Sequence, residues 1–380
     1  MRFPEETINS IFTIILIKMK HQFAKIALFS LMLSGFLFSS CDKTQETPDT
    51  GKYGLGVLIS NEGTFGAGNG SISYYDTEGD SVINEIFQLE NNRSLGDVVQ
   101  SVIRIGDYAF IQVNNSNKIE IVDGKSFAEV GVLQNITQVR YAIGDENQAY
   151  ATAWGTWGAD GKVYFIDVKT LRVTDSVSTG NGPEALLLFG ENLFVANSGG
   201  WGLDNTISII STTNKILLKT LTVGSNPKSL VLDKNNKLWI LCSGSTIYDA
   251  NWMPSGHHPS TLVQVNPITM VVEKEIPLFA DQHPSKIAIN PAGDKLYIGG
   301  GFGFSGIYTF GINEVSFTSN KLINNSFYGF DVNQEDGNIF AYESLNFTER
   351  GKLYIYSESG VEKGTYTVGI APNGSSLKRK

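Results

Sequence analysis

The sequence predicts an all-β fold, a seven-bladed β-propeller of four-stranded blades closed by its own C-terminal strand. Three observations carry this reading. One structural unit is written almost twice in succession, its most regular strand recurs seven times along the chain, and the two chain ends are incomplete in complementary ways. Self-similarity at 40 to 50 residues with several short apolar runs per period marks a propeller blade.

The duplicated unit lies between Asn181 and Asp249. It reads Gly-Pro-Glu-Ala-Leu-Leu-Leu from 182, then Asn-Leu-Phe-Val-Ala-Asn from 192, Asn-Thr-Ile-Ser-Ile-Ile from 205, and Leu-Leu-Lys-Thr-Leu-Thr-Val-Gly from 217. The next copy opens at once with Asn226-Pro-Lys-Ser-Leu-Val-Leu232 and continues through Lys237-Leu-Trp-Ile-Leu-Cys242. The third run of each unit ends at Asp76, Asp123, Asp167, Ser211, Asn266, Gly311 and Ser357. These ends are separated by 47, 44, 44, 55, 45 and 46 residues, so one blade carries a longer loop, between Ser211 and Asn266. The first copy has no inner strand before Val57-Leu-Ile-Ser-Asn61. The last overshoots with Ala371-Pro-Asn-Gly-Ser-Ser-Leu377, which matches the inner-strand opening at Asn226. The C-terminal strand is therefore expected to complete the first blade and leave no open sheet edge.

Three segments follow from this register: 1–40 as a signal segment, 41–52 as a lipidated cysteine with a flexible tether, and 53–380 as the propeller. A basic stretch with Lys20 and Lys25 precedes the apolar run Ile26 to Phe38, and Ser39-Ser40-Cys41 follows. That order describes a secretory signal. The apolar run is shorter than a membrane-spanning helix requires. Met19 is the better start for such a signal, and nothing functional is read into residues 1–18. A cysteine at the cut site resembles a bacterial lipobox, so Cys41 is the expected lipidation site and the lipid is the expected membrane attachment. The polar Asp42 to Gly51 stretch reads as a spacer. Acidic residues just after the lipidated cysteine resemble surface-export signals of Bacteroidetes lipoproteins, which implies an outer-membrane lipoprotein exposed at the cell surface.

The formal charge is -9, and residues 1–40 are net basic, so the propeller itself is more acidic still. Such a surface repels phosphate backbones, which excludes nucleic acid as an expected partner. The 40 glycines belong to turns. Cys242 closes the apolar run Leu238-Trp-Ile-Leu-Cys242 and reads as a core residue, not a nucleophile.

In a propeller the loops joining second to third strands share a face with the loops leading into the next inner strand, and sites concentrate on such loops. Six of the seven second-to-third loops carry an aromatic residue, and four of the five tryptophans lie in them. Phe65, Trp154, Trp157, Trp201, Trp252 and Phe302 are the expected ligand-contacting rings; Asn115, Arg93, Arg140 and Tyr141 are the expected rim hydrogen-bonders. A single ring in a glycine-bordered loop also serves to plug the gap between blades, but the set suits a flat ligand rich in acceptors, such as a macrocycle or a sugar. Glu62 and Glu343 form a candidate carboxylate pair for glycosidic chemistry, and His257, His258, Asp281 and His283 a candidate metal group. Neither has a motif spacing behind it. No nucleophile elbow or phosphate loop is present, since Gly66-Ala67-Gly68 precedes no helical pattern. The expectation is a binding protein with no catalytic residue, no metal and no cofactor.

The repeat with Asn181-Gly-Pro-Glu184, Leu193-Phe-Val-Ala-Asn-Ser-Gly199, Asp204-Asn-Thr-Ile-Ser-Ile209 and Val223-Gly-Ser-Asn-Pro227 resembles the YncE-type seven-bladed propellers. Ser60-Asn-Glu-Gly-Thr-Phe-Gly66, Leu95-Gly-Asp97, Asn114-Asn-Ser-Asn-Lys-Ile-Glu120 and Arg140-Tyr141 are similar to a Bacteroidetes surface-lipoprotein branch that includes the cobalamin-capturing, BtuG-like lipoproteins. The resemblance covers nearly all of residues 53 to 380. It implies capture of a small molecule, cobalamin or similar, and delivery to a TonB-dependent outer-membrane receptor. A protein- or glycan-binding scaffold and a propeller-type lyase or lactonase are the alternatives. The histidine-containing long loop and Ile210-Ser211, where Ile-Asp is usual, depart from the family pattern and leave the ligand open.

Overall fold

The computed structural model describes residues 51–377; the signal segment, Cys41 and the expected tether up to residue 50 lie outside the described residues. Seven four-stranded antiparallel sheets follow one another along the chain, and a two-stranded hairpin is added in the fifth. We number these blades 1 to 7 in chain order. The third strands stand where the repeat placed them, for example Lys118–Asp123 in blade 2 and Thr206–Ser211 in blade 4. Closure is also as expected. Pro372–Ser376 pairs antiparallel with Val57–Asn61, so the C-terminal strand is the inner strand of blade 1.

Continuous apolar runs in the second strands explain why the sheets stack. Second strands are buried on both faces, and successive side chains point to opposite sides. In blade 4, Phe194 and Ala196 join the cluster shared with blade 5, whereas Leu193 and Val195 join the one shared with blade 3. Each of the seven apolar clusters lies in this way between two neighbouring blades, including the pair formed by blades 7 and 1. Cys242 is fully buried in one of them, and burial pushes its thiol up to about 12. Outer strands such as Arg172–Ser178 are exposed except for one residue, as the rim of a disc requires.

Two features depart from the expected regularity. Blade 1 has only a three-residue outer strand, Ser81–Ile83, followed by a short helix, Ile86–Asn91, whose Ile86 and Phe87 are buried. The long stretch in blade 5, expected as a loop, is a hairpin of Ser245–Tyr248 and Pro254–His258. Asp249 organises its turn by accepting from the backbone nitrogens of Asn251 and Met253 at 2.8 and 2.9 Å. An aspartate folding back onto its own backbone in this way is a standard turn device.

Candidate functional site

One turn repeats at the mouth of the ring. Val98, Gln138, Gly182, Asn226 and Ala371 all adopt the left-handed conformation, two residues before an axis-facing residue. Each carbonyl accepts from the backbone nitrogen at the exit of the second strand: Asn114, Trp154, Ser198, Ser243 and Glu62, at 2.8 to 3.1 Å. Gly182 has no alternative, because a Cβ there would stand 1.9 Å from the backbone nitrogen of Gly200. In the same five blades the strand register slips immediately after the turn. A β-bulge re-aims side chains, and here it turns one residue per blade toward the axis.

The axis-facing set is Gln100, Arg140, Glu184, Lys228, Ser285, Tyr328 and Asn373, one from each of blades 2 to 7 and then blade 1. All seven line a central cavity of about 1030 Å³. Its wall is an ion-pair and hydrogen-bond network. Arg140 meets Glu184 through Nη2–Oε1 at 3.1 Å and Nε–Oε2 at 3.2 Å, and also donates to Gln100. Lys286 pairs with Asp331 at 2.9 Å. Glu62 accepts from Asn373 Nδ2 at 2.9 Å and from the Tyr328 hydroxyl at 3.2 Å. Burial raises the Glu62 carboxyl above the usual carboxylate range, against the pull of Asn373 and Arg140. Burial likewise lowers the Lys228 ammonium below the usual lysine range.

Aromatic residues surround the opening. Phe65, Trp154, Trp201, Phe302, Tyr328 and Phe347 all line it. Trp154 lies edge-on to Trp201 at 5.5 Å and under the Arg140 guanidinium at 4.3 Å. On the opposite arc Phe347 lies 6.0 Å from Phe302 and 5.2 Å from Tyr328. Phe65 and Phe302 are 78% and 85% exposed, so neither acts as a plug between blades. The buried Trp154 Nε1 has no hydrogen-bond partner among the described residues.

Of the ten expected ligand residues, the structure brings Phe65, Arg140, Tyr141, Trp154, Trp201 and Phe302 to this cavity. The other four stand elsewhere. Arg93 follows the short helix and is held by Glu120 at 2.8 Å and Glu129 at 2.8 Å, with its guanidinium over Phe87. Those carboxylates sit on the third and outer strands of blade 2, which draws Arg93 off the axis. Asn115 donates to Asp97 Oδ2 at 2.6 Å, on the loop leading into the inner strand of the same blade. Trp157 is an exposed ring 6.0 Å from Trp201, and Trp252 sits at the exposed hairpin tip, 6.5 Å from Tyr248. The reading from residues missed Gln100, Glu184, Lys228, Ser285, Lys286, Asp331 and Asn373. The signal that finds the ring residues is the position after a Val or Pro at the strand opening, or after Phe327 in blade 7.

The candidate metal residues meet only in part. His283 lines the cavity, and its Nε2 lies 3.1 Å from His257 Nδ1. Among the described residues no three His, Cys, Asp or Glu side chains are placed to hold a metal ion. Glu343 accepts from the Tyr354 hydroxyl at 3.0 Å, whereas Glu62 is held by Tyr328 and Asn373.

A family model described as "Domain of unknown function (DUF5074)" matches residues 55–367, which is nearly the whole propeller. The chain belongs to this family. No functionally curated protein matches it. Among solved structures, a hydrazine synthase chain of Kuenenia stuttgartiensis aligns with a TM-score of 0.61 at 13% identity, over 80% of this chain and 93% of that one. A quinonprotein alcohol dehydrogenase-like protein of Bacteroides thetaiotaomicron aligns with a TM-score of 0.61 at 14% identity, over 86% and 78%. A functionally unknown protein of Desulfotomaculum acetoxidans reaches 0.62 at 11% identity, over 84% and 98%. At such identities these similarities establish the propeller architecture of this DUF5074 chain and carry no activity with them.

Proposed function

We propose that this protein is a surface-exposed lipoprotein, anchored through Cys41, that captures an extracellular nutrient of the cobalamin class. It passes the ligand to a TonB-dependent outer-membrane transporter, and it works by binding, without catalysis. The observation that carries the reading is a cavity of about 1030 Å³ whose opening is lined by rings from blades 1, 3, 4, 6 and 7. Ligand pockets usually span roughly 300 to 1,000 Å³, so this one suits a large ligand. A corrin ring presents apolar faces to Phe65, Trp201 and Phe302 and peripheral amides to the polar wall. Arg140 and Tyr141 shape that wall through their bonds to Glu184 and Gln100.

Calorimetric titration of the purified protein with cyanocobalamin tests the proposal. Binding at micromolar concentration is expected, weakened by Phe302→Ser. Absence of heat, with no competition by related corrinoids, removes the cobalamin class. A glycan-binding propeller is the second reading, favoured by the exposed Trp157 and Trp252, which stand outside the cavity wall. An oligosaccharide screen on the same instrument separates the two, because glycan binding would be lost with Trp157→Ala and kept with Phe302→Ser.

A further inference from the structure

The seven axis-facing residues are not equivalently satisfied. Going round the ring, Asn373 and Tyr328 both donate to Glu62, Arg140 donates to Gln100, and Arg140 and Glu184 are doubly bonded. The chain of partners then stops. Lys228 of blade 5 has no hydrogen-bond acceptor and no ion-pair partner among the described residues, and neither does the Ser285 hydroxyl of blade 6 have a partner. Both line the cavity, and Lys228 stands on a largely buried part of its wall. Two adjacent blades thus present an ammonium and a hydroxyl with unused donors, whereas the carboxylates nearby are engaged. Glu184 is committed to Arg140 and Asp331 to Lys286. Lys228 feels the Glu184 carboxylate only from beyond ion-pair range, and a buried charge with no contacting counter-ion is costly unless something supplies one.

We propose that Lys228 and Ser285 form an anion subsite in this well, which takes a carboxylate or phosphate group of the captured molecule. Lys228 supplies the charge and Ser285 a neutral hydrogen bond. His283 adds none. If its Nδ1–H donates to the Ser243 carbonyl at 3.0 Å, its Nε2 is left as the acceptor facing His257. Burial lowers the pKa of Lys228, with Glu184 opposing and Arg140 adding to the shift, in keeping with an ammonium desolvated without a contacting counter-ion. The arrangement also separates functions along the wall. The pairs at Arg140–Glu184 and Lys286–Asp331 hold shape, and the gap between them selects charge.

The inference deepens the capture reading, since it concerns the same cavity, but it is tested without any corrinoid so that the two fail separately. Inorganic phosphate and succinate are each titrated into the full chain at constant ionic strength set with chloride. Saturable binding of at least one is expected, and which one binds distinguishes phosphate from carboxylate recognition. Lys228→Gln should weaken it by about tenfold or more, the scale of one charge-assisted hydrogen bond. Lys228→Arg should retain most of it, and Lys169→Gln, an exposed control, should change nothing. Equal affinity in Lys228→Gln and wild type, or no saturable binding of either anion, overturns the subsite. Should Lys228→Gln fail to fold, amine acylation of the wild type read by peptide mass spectrometry decides instead. The bound anion should protect Lys228 and leave Lys169 unprotected, and equal protection refutes the proposal.

Discussion

Blades 1 and 5 both break the regular four-strand course, in opposite ways. Blade 1 borrows its inner strand from the far end of the chain, so its irregularity lies inside the sheet and between two neighbours. Blade 5 keeps all four strands and adds a hairpin outside the sheet, at the mouth. The borrowed strand is knit into the interior: Ala371 and Ser376 are buried, Ser376 Oγ accepts from the Arg104 backbone at 3.0 Å, and Asn373 donates to the Gln100 carbonyl at 2.9 Å. The added hairpin carries exposed Tyr248, Trp252 and Met253 at its tip. Departures within the sheet therefore serve the scaffold, and departures above it are free to serve a ligand.

The sharpest way to break this comparison is to remove the borrowed strand. Truncation after Gly369 strips blade 1 of its inner strand, opens an edge on Val57–Asn61 and unseats the neighbouring blades. A loss of several kcal/mol, roughly 10 °C or more in Tm, is expected. A scanning calorimetry trace unchanged by the truncation would show that the ring does not depend on this closure.

A smaller effect is expected at the wall. Arg140→Ala leaves Glu184 without its partner and costs about 3 kcal/mol, as breaking a buried pair does. The double variant Arg140→Ala with Glu184→Ala should recover part of that loss, because Glu184 is no longer left as a buried carboxylate without its partner. Urea unfolding of the three proteins measures it, and a double variant no better than the single one would mean that packing against Trp154, not charge, accounts for the cost.

Excising the hairpin, by joining Ser243 to Ser260 through a short glycine linker, should change Tm by only a few degrees, since the four strands of blade 5 remain paired. Circular dichroism melts test this against the truncation, and comparable losses from the two deletions would erase the distinction between the blades.

The sequence made the scaffold legible because its physics is local and repeated. The uninterrupted apolar run within Asn192–Asn197 reports a strand buried on both faces, and Ile119-Glu-Ile within Lys118–Asp123 alternates with the period of a strand. The match of Pro372-Asn-Gly to Pro227-Lys-Ser reported the closure across more than 300 residues. The site was half legible for the converse reason. Aromatics in loops are conspicuous, which found Phe65, Trp154, Trp201 and Phe302. The axis-facing residues share a position and not a residue type, so Gln100, Glu184, Lys228 and Asn373 are visible only once the register and the bulge are known. Arg93 was misplaced because the helix Ile86–Asn91 intervenes before the inner strand of blade 2, and six residues of Ile-Phe-Gln-Leu-Glu-Asn give no helical periodicity to find.

The smallest expected effect concerns what ties the hairpin down. His257 on its second strand faces His283 on the loop leading into blade 6, and a proton shared between Nδ1 and Nε2 at 3.1 Å requires one ring to be an acceptor and therefore neutral. Burial lowers His283 below the usual 6.5; the Ser243 carbonyl and Asp281 oppose the shift, and His257 and Lys228 add to it. With its pKa depressed in the folded state, His283 contributes stability that is complete above 6.5 and is lost as pH falls through the lower folded value. Protonation of His283 turns its Nε2 into a donor, which takes the acceptor away from His257 Nδ1 and releases the hairpin while the blades stay folded. Hydrogen exchange at Ile247 and Gly256 should accelerate as pH is lowered below 6.5, beyond the intrinsic pH dependence of exchange, and strands of blade 4 should serve as the unresponsive reference. His283→Ala should remove the extra acceleration and leave exchange fast throughout. If the variant keeps the wild-type profile, the hairpin is held by its own turn at Asp249 and not by the histidine pair.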